Sequence, residues 1–405
     1  MKRMNKMLWI TGIEDTFIAR TDKTSPRRLD EYELTQHYYH WKEDLDIIRN
    51  TGFRLLRYGI PWYLVNPEAG KFDWRWVDQV MAYMENIGIS PIIDFFHYGT
   101  PLWLENSFLN HAFPERMTEY IMSFFERYGD FVKYYTPMNE PYITQEFCGK
   151  NAVWPPYLSG YDGFCKILKN TAKGIVKSVS AVKESYPEVF ALHVEASGIF
   201  FGETQRETAK AKFENELRFA TYDLIQGKIT EDHFLYNFLR KNGFSANDII
   251  WFHDNAINID GFGVNYYPQL SVYKIEEKRN KYHYTSYYGG TEYLGNLLRK
   301  YSKRYKGPIF LTETSVNGEV NEQINWWKAS TSFLDELISQ EGLNIQGYTW
   351  FPALDLINWD YRYGNRPVED YLEPMGFVKL VMKSSRIFER HPTKLAKTIH
   401  DDINE

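Results

Sequence analysis

The chain has 405 residues, and 43% of them are hydrophobic, so it can bury a large core. Lysine and arginine number 47 against 53 aspartate and glutamate, a net charge of −6 that excludes a global basic field. We therefore expect neither a nucleic-acid nor a membrane partner, and no charge-free stretch approaches the roughly 18 residues of a membrane span.

The N-terminus and the two cysteines indicate the compartment of the protein and whether it contains disulfides or a zinc site. The apolar run after Lys2, Arg3 and Lys6 is too short for the core of a signal peptide, which predicts a cytoplasmic protein. Cys148 and Cys165 make neither a disulfide framework nor a zinc site. We expect no metal and no cofactor, and nothing in the composition argues against a homo-oligomer.

Eight short and nearly continuous apolar runs recur along the chain, as is typical of parallel strands covered on both faces. They are Met7–Ile13, Phe53–Gly59, Ser90–His97, Lys133–Asn139, Val189–Ala196, Ile259–Tyr266, Pro308–Glu313 and Ile345–Phe351. Long amphipathic stretches between them predict helices. These are Trp41–Arg49, Trp74–Asn86, Pro114–Tyr128, Cys165–Ser185, Arg206–Ile225, Glu292–Arg304, Glu322–Ser339 and Ser385–His400.

Eight alternating strands and helices predict an α/β protein that forms a single (β/α)8 TIM barrel over residues 1–405, with its site on the loops after the strands. The alternative is an open doubly wound sheet. That fold favours a glycine-rich phosphate loop after the first strand, and Ile10–Glu14 is not one.

Two glutamates stand out among the polar and aromatic residues at the predicted strand ends. Glu140 follows the fourth strand, and Glu313 ends the seventh. These strands lie on opposite sides of an eight-stranded barrel, so long side chains could meet over its centre. Paired carboxylates about 5–5.5 Å apart suit retaining glycoside hydrolysis. The alternative is that each glutamate simply pairs with a cation or caps a helix.

Several segments in chain order resemble glycoside hydrolase family 1, the retaining β-glycosidases built on (β/α)8 barrels. The segments are Phe53–Arg57, Phe95–Pro101, Thr136–Pro141, Ile259–Tyr267, Pro308–Glu313 and Gly347–Trp359. The resemblance implies Glu313 as nucleophile and Glu140 as general acid/base. It also implies Asn139 as the residue that holds the sugar 2-hydroxyl.

The same resemblance implies supporting and binding roles for five further residues. Arg57 would sit beside the nucleophile and Tyr266 would orient it. His97 would contact the 3-hydroxyl, and Trp350 and Trp359 would belong to the aromatic part of the sugar subsite.

The chain departs from the family pattern where the outer hydroxyls are held. The early glutamine is absent, and Glu14 or Asp15 would replace it. The usual Phe-Glu-Trp reads Ile357-Asn358-Trp359, so that the clamp is shorter and neutral. The first tryptophan of this segment is out of register by one, so that Trp350 or Phe351 fills its place.

The sequence therefore predicts a retaining β-glycosidase that acts on a small carbohydrate or glycoside. The alternatives are a transglycosidase using the same intermediate, a 6-phospho-β-glycosidase and a non-catalytic sugar-binding barrel. The region around Asn358 lacks the Ser-and-Lys pattern expected for phosphate, which disfavours the 6-phospho option. The altered clamp motivates the non-catalytic option.

Overall fold

Eight parallel strands close into a barrel in a computed structural model that describes residues 7–19 and 26–404. Each strand pairs with the next along the chain, and the eighth pairs with the first, Leu8 opposite Gly347 and Thr11 opposite Trp350. The strands are β1 Leu8–Gly12, β2 Leu55–Gly59, β3 Ser90–Asp94, β4 Tyr134–Thr136, β5 Phe190–Ala196, β6 Gly261–Asn265, β7 Ile309–Thr314 and β8 Ile345–Trp350. The predicted barrel is confirmed.

Helices pack around the barrel, and shorter ones lie in its loops. They span Glu31–Leu34, His37–Asn50, Trp62–Val65, Arg75–Ile87, Phe113–Tyr128, Pro141–Thr144, Gly160–Ser185, Gln205–Leu217, Ala220–Ile225, Tyr236–Lys241, Ala246–Asp254, Gly290–Arg304, Val320–Glu341 and Lys394–Asn404. Short helical turns span Ser107–Leu109, Gln145–Lys150, Trp359–Arg362 and Val368–Tyr371. The predicted helix Ser385–His400 is wrong in its first half, which contains the strand Phe388–Pro392.

Small sheets lie outside the barrel. Phe17–Ile18 pairs with Leu29–Asp30, and Val378–Met382 pairs with Phe388–Pro392. Val272–Lys278 lies between Ile199–Phe201 and Lys281–Ser286. Leu356–Ile357 pairs with Leu372–Glu373 in the long loop after β8. That last pairing shapes one wall of the site.

The apolar core has two parts. A large cluster of buried side chains lies between the strands and the surrounding helices. A small cluster joins Ile10, Ile92, Leu192, Val194 and Phe310, which come from β1, β3, β5 and β7. Because these strands are not neighbours, their side chains can meet only inside the barrel. A packed interior leaves the carboxyl ends of the strands as the place for a cavity.

Candidate active site

A cavity of ≈ 510 Å³ lies at the carboxyl ends of the strands, and both candidate catalytic glutamates line it. Glu313 belongs to β7 and Glu140 follows β4, so opposite sides of the barrel supply them. Their side chains are almost enclosed, since Glu313 is 4% and Glu140 is 8% exposed. The two glutamates therefore face one cavity over the barrel, as the order of the strand ends predicted.

Both carboxylate oxygens of Glu313 are held by hydrogen bonds. Arg57 Nη1 donates to Oε1 at 2.5 Å, and the Tyr267 hydroxyl donates to Oε2 at 2.8 Å. The other guanidinium nitrogen of Arg57 bonds Asp94 at 2.5 Å and the Asn139 side-chain oxygen at 2.9 Å. Burial opposes the charge of Arg57, but the carboxylates of Glu313 and Asp94 outweigh it and raise the pKa of the guanidinium.

Glu140 is in a different environment. Its backbone has φ 39°, in the left-handed region, and Pro141 begins a short helix directly after it. The Tyr98 hydroxyl donates to Oε2, and the Asn265 amide donates to Oε1 at 2.7 Å. Burial, followed by the charge of Glu313, raises the pKa of Glu140 from 4.5 to about 7. Glu140 can therefore hold a proton near neutral pH.

Asn139 lies behind the cavity wall rather than in it. Its side-chain oxygen accepts from Arg57, while its amide nitrogen lies 3.0 Å from His97 Nε2 and donates to the Tyr98 oxygen at 3.1 Å. The residue is fully buried. Asn139 thus ties the guanidinium that holds Glu313 to the tyrosine that holds Glu140.

The imidazole of His97 faces carboxylates on both sides. Its Nδ1 lies 2.9 Å from Asp15, and its Nε2 lies 3.5 Å from Glu14, which also accepts from the Thr16 backbone and hydroxyl. Burial would lower the pKa of His97, but Asp15 and Glu14 outweigh it and raise that pKa well above its ordinary value. Burial raises the pKa of Glu14. Glu14 and His97 both line the cavity, as expected of substrate-binding residues.

Aromatic rings form another part of the lining. Trp359 packs edge-on against Tyr98, with ring centroids 5.8 Å apart, and against Trp154, 5.2 Å apart. Next to it, the Asn358 amide donates to Glu373, and the Asn358 oxygen accepts from the Asp360 backbone at 2.7 Å. Trp359, Asn358 and Glu373 all line the cavity. Sequence reasoning missed Glu373 and Trp154.

The prediction that Tyr266 orients the nucleophile is wrong. Its hydroxyl donates to the Gly290 carbonyl at 2.8 Å, away from Glu313, and the next residue, Tyr267, makes the contact. Side chains alternate across a strand, so Asn265 and Tyr267 face the same way and Tyr266 faces the other. Asn265 contacts Glu140. With Asn265 assigned to the cavity side, the alternation of side chains would have selected Tyr267 rather than Tyr266.

The placement of Trp350 in the sugar subsite is also wrong. Its ring is fully buried and its Nε1 donates to the Met375 carbonyl at 3.2 Å. Trp350 shares the outer face of β8 with Tyr348, and both rings pack against Trp327. The ring of Phe351, the other residue considered for this position, lies 6.2 Å from the ring of His97 and 5.4 Å from the Arg57 guanidinium carbon. Phe351 is buried and does not line the cavity either.

Asp15, Asp94 and His97 form a group with metal-ligand chemistry, their ligand atoms lying within 4.8 Å of one another, and His97 also lines the cavity. Arg57 already bonds Asp94 at 2.5 Å, and His97 lies 2.9 Å from Asp15. A metal ion placed there would face the guanidinium, so the donor set fits an internal ion-pair network better than a metal.

Comparison with known proteins agrees with this geometry. A sequence profile described as glycosyl hydrolase family 1 matches residues 10–368. The chain belongs to glycosyl hydrolase family 1. This makes the protein an O-glycosyl hydrolase, and membership of the family supports β-glycosidase activity.

The relatives of this family 1 protein are distant in sequence, and a solved structure shares its fold. Beta-glucosidase A of Thermotoga maritima is 24% identical, over 82% of this chain and 80% of that protein. The 6-phospho-beta-glucosidase AscB of Escherichia coli is 23% identical, over 86% of this chain and 80% of that protein. A solved family 1 β-glucosidase structure from T. maritima aligns with a TM-score of 0.83 at 20% identity, covering 99% and 98% of the two chains. Among the residues that the structure describes, no helix is long and apolar enough to cross a membrane.

Proposed function

We propose that the protein is a retaining β-glycosidase that works by double displacement, with Glu313 as nucleophile and Glu140 as general acid/base. The observation that carries the proposal is the contrast between the two glutamates in one cavity. Arg57 and Tyr267 hold both oxygens of Glu313, while burial and the nearby charge of Glu313 raise the pKa of Glu140 to about 7. Two carboxyl groups in unlike environments suit a nucleophile and an acid.

In the first step an oxygen of Glu313 attacks the anomeric carbon of the substrate. The bond from that carbon to the leaving oxygen breaks, and the proton of Glu140 passes to the leaving oxygen. In the second step water attacks the same carbon, its proton passes to the Glu140 carboxylate, and the bond to Glu313 breaks. Two inversions at the anomeric carbon leave its configuration unchanged.

Azide rescue of two glycine variants tests the assignment of both roles. Glu313→Gly should lose roughly a thousandfold or more of its turnover of an aryl β-glycoside. Azide should then attack from the vacated face and yield an α-glycosyl azide. Glu140→Gly should still form the glycosyl-enzyme from a substrate with a good leaving group, and azide should release a β-glycosyl azide.

Two results would overturn these roles. One is turnover by Glu313→Gly close to that of the parent enzyme. The other is product of inverted configuration from the parent, as seen by proton NMR during the first turnovers. A matched control is Glu126→Gly, a change at an exposed position of the helix Phe113–Tyr128. It should keep parent activity and show no response to azide.

A further inference from the structure

Glu373 is a carboxylate of the cavity that the two-step reaction does not use. It ends the short strand Leu372–Glu373 and lies opposite Leu356. It lines the same cavity as Glu140 and Glu313. The Asn358 amide donates to Oε1, and no donor within residues 7–19 and 26–404 bonds Oε2. One oxygen of Glu373 is therefore fixed by the protein, and the other is free to accept from a ligand.

The hydrogen-bonding groups of the Asn358 side chain are used within its own loop. Its side-chain oxygen accepts from the Asp360 backbone at 2.7 Å, its backbone N–H donates to the Tyr371 carbonyl at 2.7 Å, and its amide holds Glu373. The position at which the sequence predicted a short neutral clamp thus orients a carboxylate supplied from farther along the chain.

The buried Glu31 indicates on which side of the cavity Glu373 lies. Burial, and then the charge of Glu14, raise the pKa of Glu31, and the charge of Glu373 contributes in the same direction. Glu31 accepts from the backbone N–H of Ile357 at 3.1 Å, immediately beside Asn358. The Glu31 backbone N–H donates to the Thr16 carbonyl at 3.0 Å, and the Thr16 hydroxyl donates to Glu14. These contacts place Glu14 and Glu373 on the same side of the cavity, the side that also carries His97 next to Glu14.

The cavity lining carries five carboxyl groups among its aromatic and apolar side chains. Its carboxyl groups belong to Glu14, Glu140, Glu313, Asp360 and Glu373, and the described part of the lining contains no lysine or arginine. The guanidinium of Arg57, behind the wall, is already bonded to four partners through its two terminal nitrogens. His97 is already faced by Asp15 and Glu14. Carboxylates accept from sugar hydroxyls, whereas a phosphate of charge about −2 needs cationic donors.

We propose that Glu373 determines the specificity of this site: its free oxygen accepts a hydroxyl hydrogen from an uncharged sugar, and its charge excludes glycosides that carry a phosphate on that sugar. The proposal rests on the β-glycosidase function proposed above. It distinguishes this chain from AscB of Escherichia coli, whose name includes a 6-phospho substrate, although this chain is about as similar to AscB (23% identical) as to beta-glucosidase A of Thermotoga maritima (24%).

The test compares neutral nitrophenyl β-glycosides with nitrophenyl β-glucoside 6-phosphate on the parent, Glu373→Gln, Glu373→Lys and the control Glu369→Gln. Glu369 is exposed on the neighbouring turn Val368–Tyr371 and does not line the cavity. The parent and the control should prefer a neutral glycoside. Glu373→Gln should lower kcat/KM for that glycoside about tenfold, because a hydrogen bond to a charged group is lost. Glu373→Lys should shift the preference toward the phosphorylated substrate by about a hundredfold, because attraction replaces repulsion.

The outcomes separate this proposal from the function on which it rests. If the parent cleaves no aryl β-glycoside of either kind, the proposed function itself fails. If the parent cleaves a neutral glycoside and Glu373→Gln matches Glu369→Gln, the role of Glu373 is overturned and the function stands. A parent that prefers the phosphorylated substrate also overturns it. Should the Glu373 variants misfold, inhibition of the parent by the free sugar and by its 6-phosphate decides, and stronger inhibition by the phosphate contradicts the proposal.

Discussion

The Tyr267 hydroxyl lies 2.8 Å from Oε2 of Glu313, while Arg57 holds the other carboxylate oxygen at 2.5 Å. With both oxygens fixed, the carboxylate cannot turn freely about its side chain, so its direction of approach to a substrate is set before binding. Tyr266, one residue earlier, bonds the Gly290 carbonyl at 2.8 Å and takes no part in this arrangement. Neighbouring tyrosines thus provide a matched pair of variants.

Tyr267→Phe should lower kcat about tenfold to a hundredfold with little change in KM, because one of the two bonds that aim the nucleophile is lost. Tyr266→Phe should leave kcat within about twofold of the parent, since its hydroxyl bond lies outside the site. Steady-state kinetics on an aryl β-glycoside measures both. Equal losses in the two variants would show that the hydroxyl of Tyr267 has no special role.

Tyr98→Phe should move the basic limb of the kcat/KM profile to higher pH. The Tyr98 hydroxyl donates to the Glu140 carboxylate and so stabilises its charged form. Without that bond the pKa of Glu140 rises above its present value of about 7, and the acid form persists to higher pH. Tyr83→Phe removes a comparable tyrosine–carboxylate bond, to Asp46 on the outer surface, and should leave the profile unchanged. A basic limb that stays in place or moves downward in Tyr98→Phe would refute this.

Glu140→Gln should stabilise the protein more at about pH 8 than at about pH 5. The pKa of Glu140 is about 7 in the folded chain against an ordinary 4.5, so the folded state favours the protonated form. The stabilisation from this group is present at low pH and is lost as pH rises through about 7. Glutamine carries no such penalty, and its amide can donate to the Tyr98 oxygen while its own oxygen accepts from Asn265.

Calorimetric Tm values at the two pH values measure this difference. The shift in Tm between the Gln variant and the parent should be more positive at the higher pH. Glu126→Gln, on the exposed face of the helix Phe113–Tyr128, is the control and should show the same small shift at both. A larger benefit at the lower pH would mean that the sign assigned to Glu140 is reversed.

Gly59→Ala should lower the stability of the protein and weaken the contact between Asp15 and His97, although Gly59 is remote in sequence from both glutamates. An added Cβ would lie 1.7 Å from the Asp15 carboxylate, which must then move away from His97. Crowding of this kind in a packed interior costs about 1–3 kcal/mol. We expect a lower Tm and a weaker His97 contact, seen as a downward shift of the His97 pKa by NMR, because Asp15 raises that pKa. An unchanged His97 titration would contradict the contact.

The barrel was predictable because each strand is an apolar run bounded by polar residues. The eight predicted runs overlap β1 to β8, and the order of their ends brings Glu140 and Glu313 together. Local pattern alone failed where neighbouring residues of one type face opposite ways, as with Tyr266 and Tyr267. It also failed at Ser385–His400, where the antiparallel pair Val378–Met382 and Phe388–Pro392 depends on pairing across a turn.

Glu373 was beyond the reach of local patterns for another reason. It contacts Asn358 across 15 positions of sequence, and the contact exists only because Leu372–Glu373 pairs with Leu356–Ile357. Glu373 is a single charged residue followed by proline, and no periodic pattern around it predicts that it lines a cavity. The departure at Asn358 was visible in the sequence, but the side chain that accompanies it could be found only from the folded loop.

The loop that carries Asn358, Trp359 and Glu373 is closed at its base by backbone hydrogen bonds of Val378 to Ala353 and Asp355, and by the side chain of Asp355. The Asp355 carboxylate accepts from the backbone N–H of Gly376 at 3.2 Å and of Leu380 at 3.1 Å, so the two ends of the loop meet at a fixed point. The residues that hold Glu313 and Glu140 lie outside this loop, in barrel strands or just after them. Exchange of residues 356–375 as a unit would therefore change the wall around the sugar and leave the hydrogen bonds of both glutamates in place, provided that the new loop keeps the contact of Trp359 with Tyr98.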